Sequence, residues 1–325
     1  MSFTVVSTMK NEGPFLLEWV AHHKVIGFDH MVVCWNDCSD GTNRMLARLT
    51  EMGIVIQHPT AIRKGGIQRS ALRQARTYPE VQNADWVYVC DADEFLNIHA
   101  GDHSVRALVE ASAGADVISV PWRIFGSGGV EGYEDAPVTT RFRRCEMPFH
   151  PATNPKAGHQ VKSLFTGQDR FKRYGLHVPV LPDEGAEAFR IARPGGALVT
   201  ESDPSFAVAQ VNHYILRSMD SYLVKRDRGR ANHMDDVLGL EYWRKWNRNA
   251  TEEGTIDRYR AATDALVAEY KADPVLGPLH EAAVAWHRAK IAEMRTRPEV
   301  QEIMPEMQAT LYGQDDPTPI RTEAA

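Results

Sequence analysis

The sequence predicts an α/β fold with a mostly parallel sheet and a helical C-terminal extension, and three features carry this prediction. Strand-like and helix-like segments alternate over the first 120 residues, which is the pattern of right-handed βαβ crossovers in a parallel sheet. Polar clusters follow the first, second and fourth predicted strands, at the sheet edge where such folds bind ligands. From Ser218 onwards, helical patterns dominate.

The alternation starts with an apolar strand at residues 3–8, and Pro14 suits the first turn of the helix that follows. The later strands of this half are expected at residues 30–35, 54–57, 86–90 and 116–121. The helices between them are expected around residues 45–52, 69–76 and 105–113, where apolar side chains recur at helical spacing.

The pattern changes beyond residue 121, where long loops rich in glycine and proline separate the predicted elements. Strands are expected at residues 138–145, 162–166, 171–180 and 208–216. Helices are expected at residues 218–228, 240–248, 255–272 and 278–296.

Composition and charge exclude several classes of protein. The 325 residues are 43% hydrophobic and 25% charged, with a formal net charge of -6, so no overall field attracts nucleic acid or an anionic membrane. No stretch reaches the ~18 consecutive apolar residues that a membrane-spanning helix needs. The four cysteines lack two ligand pairs at zinc spacing and indicate structural thiols in a reducing compartment. We expect a cytoplasmic protein, with the inner face of a membrane as an alternative location.

An acidic cluster follows the predicted strand at residues 86–90. Asp91, Asp93 and Glu94 are separated only by Ala92, and like charges this close are costly unless a cation lies between them. Oxygen ligands favour Mg²⁺ or Mn²⁺, either of which would also bind the diphosphate of a nucleotide sugar. The alternative is a helix cap whose acidic side chains are solvated.

Two more polar clusters follow the first two predicted strands. Glu12 lies after the first, and Asp37 and Asp40 lie in the segment Asn36–Thr42 after the second. Each has a structural explanation, a first-turn helix acid for Glu12 and an Asx turn with a helix cap for the segment. Because parallel strands bring these loops to one edge, we predict that they bind the base and ribose of a nucleotide.

A histidine and a basic run form the third element. His213 ends a predicted strand, and Lys225 and Arg228 belong to the basic run that follows it. Beside a metal-bound diphosphate, an imidazole is a further metal ligand and the basic side chains are phosphate partners. A structural histidine and a solvated helix end are the alternatives.

These motifs resemble the glycosyltransferases of families 2 and 92, and the branch of family 92 with D-x-D-E-F and H-Y-x3-S is the most similar. The motifs that carry the resemblance are Thr8–Glu12, Trp19–His23, Asn36–Thr42, Asp91–Phe95 and Asn212–Gly229. They extend over roughly residues 3–230, in the same order and at similar spacing. The resemblance implies a GT-A fold with a Rossmann-like sheet, a nucleotide-sugar donor that is usually UDP-linked, and inversion at the anomeric carbon.

The resemblance also assigns roles by position. Asp93 and His213 would hold Mn²⁺ or Mg²⁺, and Asp91 would bind the metal or the ribose. The acidic residues of the first two loops would face the nucleoside. Two further segments, Gly126–Gly129 and Lys162-Ser163, match family segments near the reacting sugar.

Sugar transfer needs two kinds of group besides the metal. Negative charge that builds on the leaving diphosphate would be offset by Lys162, or by the basic side chains after His213. A base must take the proton of the acceptor hydroxyl. Asp183 and Glu184 follow a predicted strand and are the first candidates, and His177 is the second because the family pattern has a histidine there.

The resemblance divides the chain into a catalytic domain and an extension. Residues 1–235 would form the catalytic domain, with a nucleotide-binding half at 1–120 and an acceptor half at 121–235. Residues 236–304 would form a helical extension packed on this domain, and residues 305–325 a flexible tail. Truncation at residue 304 is therefore expected to leave activity unchanged.

The extension carries large side chains: Tyr242, Trp243, Trp246, Tyr259, Leu266, Tyr270 and Trp286. We expect them to cover the core or to form a homodimer contact, while a lid over the acceptor is the alternative.

The predicted reaction is metal-dependent transfer of a sugar to a hydroxyl of a glycan or glycoconjugate. A sugar nucleotidylyltransferase and a non-catalytic glycan-binding domain are the competing interpretations. The first would need a more basic, glycine-rich loop after strand one, and the second would not need the acidic cluster.

Overall fold

The computed structural model describes residues 1–61, 66–148, 154, 156–167, 170–192, 206–228 and 239–313. The strands are β1 (Phe3–Met9), β2 (His30–Trp35), β3 (Ile56–Pro59), β4 (Trp86–Val89), β5 (Glu94–Ile98), β6 (Val117–Ile124), β7 (Arg144–Cys145), β8 (Val161–Thr166), β9 (Ile191–Ala192), β10 (Ala209–His213) and β11 (Thr251–Glu252). The helices are α1 (Gly13–Val25), α2 (Thr42–Glu51), α3 (Ile67–Ala75), α4 (Pro79–Gln82), α5 (Val105–Ala111), α6 (Val138–Arg141), α7 (Met219–Arg228), α8 (Leu240–Trp246), α9 (Arg260–Ala272), α10 (Leu276–Thr296), α11 (Pro298–Gln301) and α12 (Met304–Ala309).

The main sheet has the strand order β3-β2-β1-β4-β8-β6-β10-β5, and β9 pairs with β6. Strands β1 to β4 pair in parallel, whereas β8 lies antiparallel between β4 and β6. This order follows from short βαβ crossovers in the first half of the chain. The predicted GT-A class, α/β with a mostly parallel Rossmann-like sheet, is confirmed.

Helix α1 is the central helix of the fold. It is buried from Gly13 to His23 because it packs against β5 on one side and against α9 and α10 on the other. Trp243, Tyr270 and Met307 of the C-terminal region belong to the same buried cluster as the residues on this side of the sheet. The C-terminal helices and the sheet therefore share one hydrophobic core. Among the described residues, none of the helices combines the length and apolar character that a bilayer crossing requires.

Two strand predictions are wrong, the first of them only in part, because residues 144–145 of the segment predicted at 138–145 do form strand β7. Residues 138–141 form helix α6 because the buried carboxylate of Glu18 accepts the N–H groups of Val138 (2.6 Å) and Thr139 (3.0 Å) at its first turn. Residues 171–180 form a loop with a single antiparallel bridge between Arg173 and Val180.

The segment predicted as a flexible tail from residue 305 packs on the core over its first residues. Residues 304–309 form α12, and the side chain of Met307 is fully buried. The amide of Asn247 donates to the carbonyl of Thr310 (2.7 Å), and the carbonyl of Leu311 accepts the hydroxyl of Ser127 (2.8 Å). The chain thus packs on the core at least to Gly313. Residues 314–325 and the domain boundary predicted at residue 235 lie outside the described residues.

Candidate active site

The three polar clusters meet in one cavity of about 410 Å³ at the carboxyl edge of the sheet. Its wall includes Asp91 and Asp93 of the acidic cluster after β4 and residues from the loops after β1 and β2. It also includes side chains from β6, β10, α7 and α8. The prediction that these segments share one sheet edge is therefore confirmed.

Asp91 lies at the centre of this edge and is tied to a buried lysine. Its Oδ2 is 2.8 Å from Nζ of Lys162, whose side chain is fully buried. Glu94 Oε2 accepts the N–H of Asp91 (2.9 Å) and lies 3.3 Å from the same ammonium. Burial lowers the pKa of Lys162, but the carboxylates of Asp91 and Glu94 raise it more. Lys162 thus pairs with two of the three carboxylates of the acidic cluster, Asp91 and Glu94.

Asp93 faces two groups across the cavity edge. Its Oδ2 is 2.6 Å from Nζ of Lys225, and its Oδ1 is 3.5 Å from Nε2 of His213. Burial alone would raise the pKa of Asp93, but the Lys225 ammonium and the His213 imidazole hold it well below its usual range. Burial also lowers the pKa of His213, against the opposing effect of Asp93. The site therefore holds an ionised carboxylate beside a neutral imidazole.

Glu12 connects the loop after β1 to the helix that carries the basic run. Its carboxylate pairs with Arg217 (2.9 Å) and with Arg228, and Arg228 also donates to the carbonyl of Lys10 (2.6 Å). Burial favours the protonated form, but the two guanidinium groups overcome it and lower the pKa of Glu12. Glu12 lines the cavity as an ionised anchor for two arginines.

Three residues of the loops around this edge have positive φ angles, at 53° for Asn11, 45° for Asp37 and 59° for Arg217. They follow β1, β2 and β10 respectively. A residue with a side chain adopts a positive φ angle only at a cost in free energy, and such residues concentrate at functional sites. The guanidinium of Arg217 lies 3.6 Å from the ring centroid of Phe15 and is further held by its ion pair with Glu12.

The two acidic residues after β2, Asp37 and Asp40, were expected to contact the nucleoside, but neither lines the cavity. Asp40 is buried, and its carboxylate accepts the N–H groups of Gly13 (2.8 Å) and Thr42 (2.9 Å). Asp37 is exposed and accepts from the side chain of Asn36 (3.0 Å). In this segment Asn36 lines the cavity. Asp40 therefore joins the starts of α1 and α2, as its structural interpretation predicted.

The three candidate bases differ in whether they reach the cavity. Asp183 is exposed and pairs with Lys172 (2.6 Å), and Glu184 is exposed in the same loop. His177 lines the cavity, and its ring lies 5.2 Å from that of Trp122. Of the three candidates named from the sequence, the structure brings only His177 to the cavity.

The protonation of His177 follows from its contact with the backbone. Nδ1 is 3.0 Å from the carbonyl oxygen of Val161, which can only accept, so Nδ1 carries the proton and Nε2 keeps its lone pair. Burial and the positive charge of Lys162 lower the pKa of His177 below 6.5. A neutral imidazole of this tautomer can take up a proton at Nε2.

The side chains around Asp93 fit a divalent cation in part. In the described segments, no cluster of three or more histidine, cysteine, aspartate or glutamate side chains is arranged to hold a metal ion. Asp93 and His213 do provide an oxygen and an imidazole nitrogen 3.5 Å apart. Nδ1 of His213 and Oε1 of Glu94 are both buried without a partner, 4.0 Å from each other. A carboxylate on the far side of the ring commonly supports a metal-binding histidine. Asp93 and His213, with Glu94 behind the imidazole, therefore fit a metal ion whose other ligands come from a diphosphate.

Several cavity residues were not predicted as site residues. They are Gln68 on α3, Trp122 on β6, Gln160 before β8, and Tyr242 and Trp246 on α8. Gln68 donates to Oδ1 of Asp91 (3.2 Å). None of them belongs to a polar cluster at a strand end, and the sequence named Tyr242 and Trp246 only in the alternative of a lid over the acceptor.

Comparisons with known proteins point to one family. A family model described as glycosyltransferase family 92 matches residues 4–262. A search of curated protein sequences gave no match.

A search of solved structures also gave matches, of which two are described here. The S. aureus TarS 1–349 structure is 15% identical, covers 94% of this chain and 92% of that chain, and has a TM-score of 0.36. Glucosyl-3-phosphoglycerate synthase from Mycobacterium tuberculosis, in complex with Mn²⁺, UDP and glucosyl-3-phosphoglycerate, is 17% identical. It covers 61% of this chain and 72% of that chain, with a TM-score of 0.31.

Proposed function

Because the chain belongs to glycosyltransferase family 92, we propose that it transfers a sugar from a UDP-sugar to a hydroxyl of a glycan or glycoconjugate, with inversion. The observation that carries the proposal is the single cavity in which Asp91, Asp93 and His213 meet the loops after β1 and β2. A nucleotide sugar has a planar base that forms hydrogen bonds, a charged diphosphate and a polar sugar ring, and the cavity offers polar, acidic and basic side chains that could contact them.

The strand order supports this direction of binding. Thr8 of β1 and Asn36 after β2 lie at one end of the cavity, and Trp122 of β6 and His213 of β10 lie at the other. Strands β1 and β6 are three positions apart in the sheet, or roughly 14 Å. The acidic cluster after β4 lies between them. We therefore place the nucleoside at the β1 end, the diphosphate beside Asp93, and the acceptor at the β6 end.

The charges of the site favour a divalent cation with the donor. Lys162, Lys225 and Arg228 each already face a carboxylate, so the diphosphate brings negative charge that these side chains only partly offset. Mn²⁺ or Mg²⁺ held by Asp93 and His213 would supply electrostatic stabilisation of the leaving diphosphate. Lys225 and Arg228 line the cavity and would bind phosphate oxygens, while the buried Lys162 fixes Asp91.

His177 is the residue that we propose as the base. The acceptor oxygen attacks the anomeric carbon as the bond to the diphosphate breaks, and the leaving group keeps the electron pair. The hydroxyl proton would pass to Nε2 of His177, whose Nδ1–H remains bonded to the carbonyl of Val161.

Replacing His177 by glutamine should lower kcat by about 10²- to 10⁴-fold, the usual contribution of a base, and should leave UDP affinity unchanged. The pKa of His177 lies below 6.5, so wild-type kcat should stay level above this pH and fall as the pH drops through the lowered value. Asp183→Asn is the matched control and should retain both rate and profile. If Asp183→Asn loses activity while His177→Gln keeps it, the base is assigned wrongly.

Binding of UDP tests the proposed function together with the role of His213. Calorimetry on the full chain should show UDP binding that Mn²⁺ strengthens and EDTA weakens. His213→Ala should reduce the Mn²⁺-dependent affinity by ~10-fold, about 1.4 kcal/mol. His30→Ala, at an exposed position on β2, should bind as the wild type does. Equal UDP affinity with Mn²⁺ and with EDTA would contradict the metal site.

A further inference from the structure

Trp122 contacts both histidines of the proposed mechanism. Its ring centroid lies 4.3 Å from that of His213 and 5.2 Å from that of His177. All three side chains line the cavity, while Trp122 itself is only 7% exposed. One indole thus packs against both the proposed metal ligand and the proposed base.

The pairing of β6 with its two neighbours fixes the position of this indole. Trp122 pairs with Val211 of β10, and because side chains alternate between the two faces of a strand, His213 lies on the same face of the sheet. On the other edge of β6, the N–H of Trp122 donates to the carbonyl of Gln160, just before β8 (2.7 Å). A large ring that is buried on a strand bonded at both edges has little freedom to change its orientation.

The two imidazoles depend on packing for their own orientation. Within the described part of the chain, Nδ1 of His213 has no hydrogen-bond partner, and Nε2 lies 3.5 Å from the carboxylate of Asp93. Nδ1 of His177 bonds to the carbonyl of Val161 (3.0 Å), and a ring held at one nitrogen can still turn about that bond. Contact with the indole of Trp122 limits the rotation of both rings.

The orientation of these rings decides where their Nε2 atoms lie. In the proposed function, Nε2 of His213 would bind the metal and Nε2 of His177 would take the proton of the acceptor hydroxyl. A misplacement of about 1 Å at a reacting group can cost ~10²-fold in rate, and loss of the groups that support a metal ligand costs ~10- to 100-fold in metal affinity or activity. We infer that Trp122 is a positioning residue that holds both imidazoles in their working orientations, so that one substitution impairs metal-dependent donor binding and proton transfer together. This inference rests on the proposed function.

The test uses two variants without a ring at this position, Trp122→Leu and Trp122→Met. Methionine adapts to irregular space, so the second variant keeps the test available if the first does not fold. The matched control is Trp86→Leu, at a tryptophan of β4 that has the same 7% exposure and lies outside the described cavity wall. All three variants should have a lower melting temperature because each loses a buried ring, and all are assayed well below it.

Calorimetry and kinetics on the full chain measure the two effects separately. In both ring-less variants, the Mn²⁺-dependent affinity for UDP should fall ~10-fold, while the affinity for UDP in EDTA should stay unchanged. With saturating donor, release of UDP from the UDP-sugar that the wild type hydrolyses should slow by ~10²-fold. Trp122→Phe keeps a flat ring and should recover most of both losses, and Trp86→Leu should match the wild type in both.

NMR of protein labelled with ¹⁵N-histidine tests the orientation without any activity or metal. The His177 signal, assigned by its loss in His177→Gln, should show the Nδ1–H tautomer in the wild type and in Trp86→Leu. In the ring-less variants of Trp122, it should show a mixture of the two tautomers.

Any one of three results would overturn the inference: unchanged affinity and rate in the ring-less variants of Trp122, equal losses in Trp86→Leu, or an unchanged His177 signal. If the wild type binds UDP with Mn²⁺ and hydrolyses a UDP-sugar, the proposed function stands whichever of these results is found. If the wild type binds no UDP, the proposed function fails, and the His177 signal alone decides whether Trp122 orients this ring.

Discussion

Asp93→Asn is expected to lower kcat/KM for the nucleotide sugar by about 10³-fold, or roughly 4 kcal/mol of transition-state stabilisation. Asparagine has the same shape as aspartate but no charge. It would leave the ammonium of Lys225, now 2.6 Å from the carboxylate, without a counter-ion, and it would weaken any metal held with His213. Steady-state kinetics on purified variants would measure the loss.

The matched control for this variant is Asp183→Asn, which removes an exposed carboxylate outside the cavity. Its kcat/KM should equal that of the wild type. Asp183→Asn should keep the melting temperature of the wild type, whereas Asp93→Asn should lower it because Lys225 loses its partner. Both variants are therefore assayed well below their measured melting temperatures, so that lost activity in Asp93→Asn cannot be attributed to unfolding. An Asp93→Asn enzyme with more than a tenth of wild-type activity would contradict the central role of this carboxylate.

Truncation after Ile303 is expected to produce insoluble protein or to lower the melting temperature by about 10 °C or more. It removes the buried side chain of Met307, a loss typical of ~2–5 kcal/mol. It also removes the Thr310 and Leu311 carbonyls that accept from Asn247 and Ser127. The consequence is the opposite of the one expected from the sequence, where residue 304 was a harmless end point.

The control for the truncation ends the chain after Gly313 and so keeps every contact that the structure describes. Its melting temperature and activity should match those of the full chain. If the chain ending at Ile303 is as stable and as active as the one ending at Gly313, the contacts of α12 do not contribute to the stability of the core.

Local patterns were sufficient to predict the parallel part of the sheet and the edge at which the polar clusters meet. Asp91, Asp93 and Glu12 lie directly after apolar strands, and parallel pairing necessarily brings such positions to one edge. His213 was predicted for the same reason, since it ends β10. These features depend on residues that are neighbours in the chain.

The charge partners of the acidic cluster could not be predicted in this way. Lys162 is 71 residues from Asp91, and Lys225 is 132 residues from Asp93. The sequence argument explained the cluster by a bound cation, with a solvated helix cap as the alternative. The structure shows that two lysines from β8 and α7 pair with these carboxylates, so the folded chain does not need a metal ion to relieve their repulsion.

The assignment of the base also depended on long-range packing. Asp183 follows a segment that was predicted as a strand, but residues 171–180 form a loop that presents His177 to the cavity and leaves Asp183 outside it.

The measurement that tests the central claim most directly is ³¹P NMR of the full chain with diamagnetic Mg²⁺ and, in turn, UDP-glucose, UDP-galactose and UDP-N-acetylglucosamine. Water can replace the acceptor, so hydrolysis needs no knowledge of the natural glycan. We predict release of UDP from at least one donor, at a rate that Asp93→Asn abolishes. Absence of UDP release from all three, with or without added saccharides, would contradict the account. Pyrophosphate release from a nucleoside triphosphate and a sugar 1-phosphate would indicate a nucleotidylyltransferase instead.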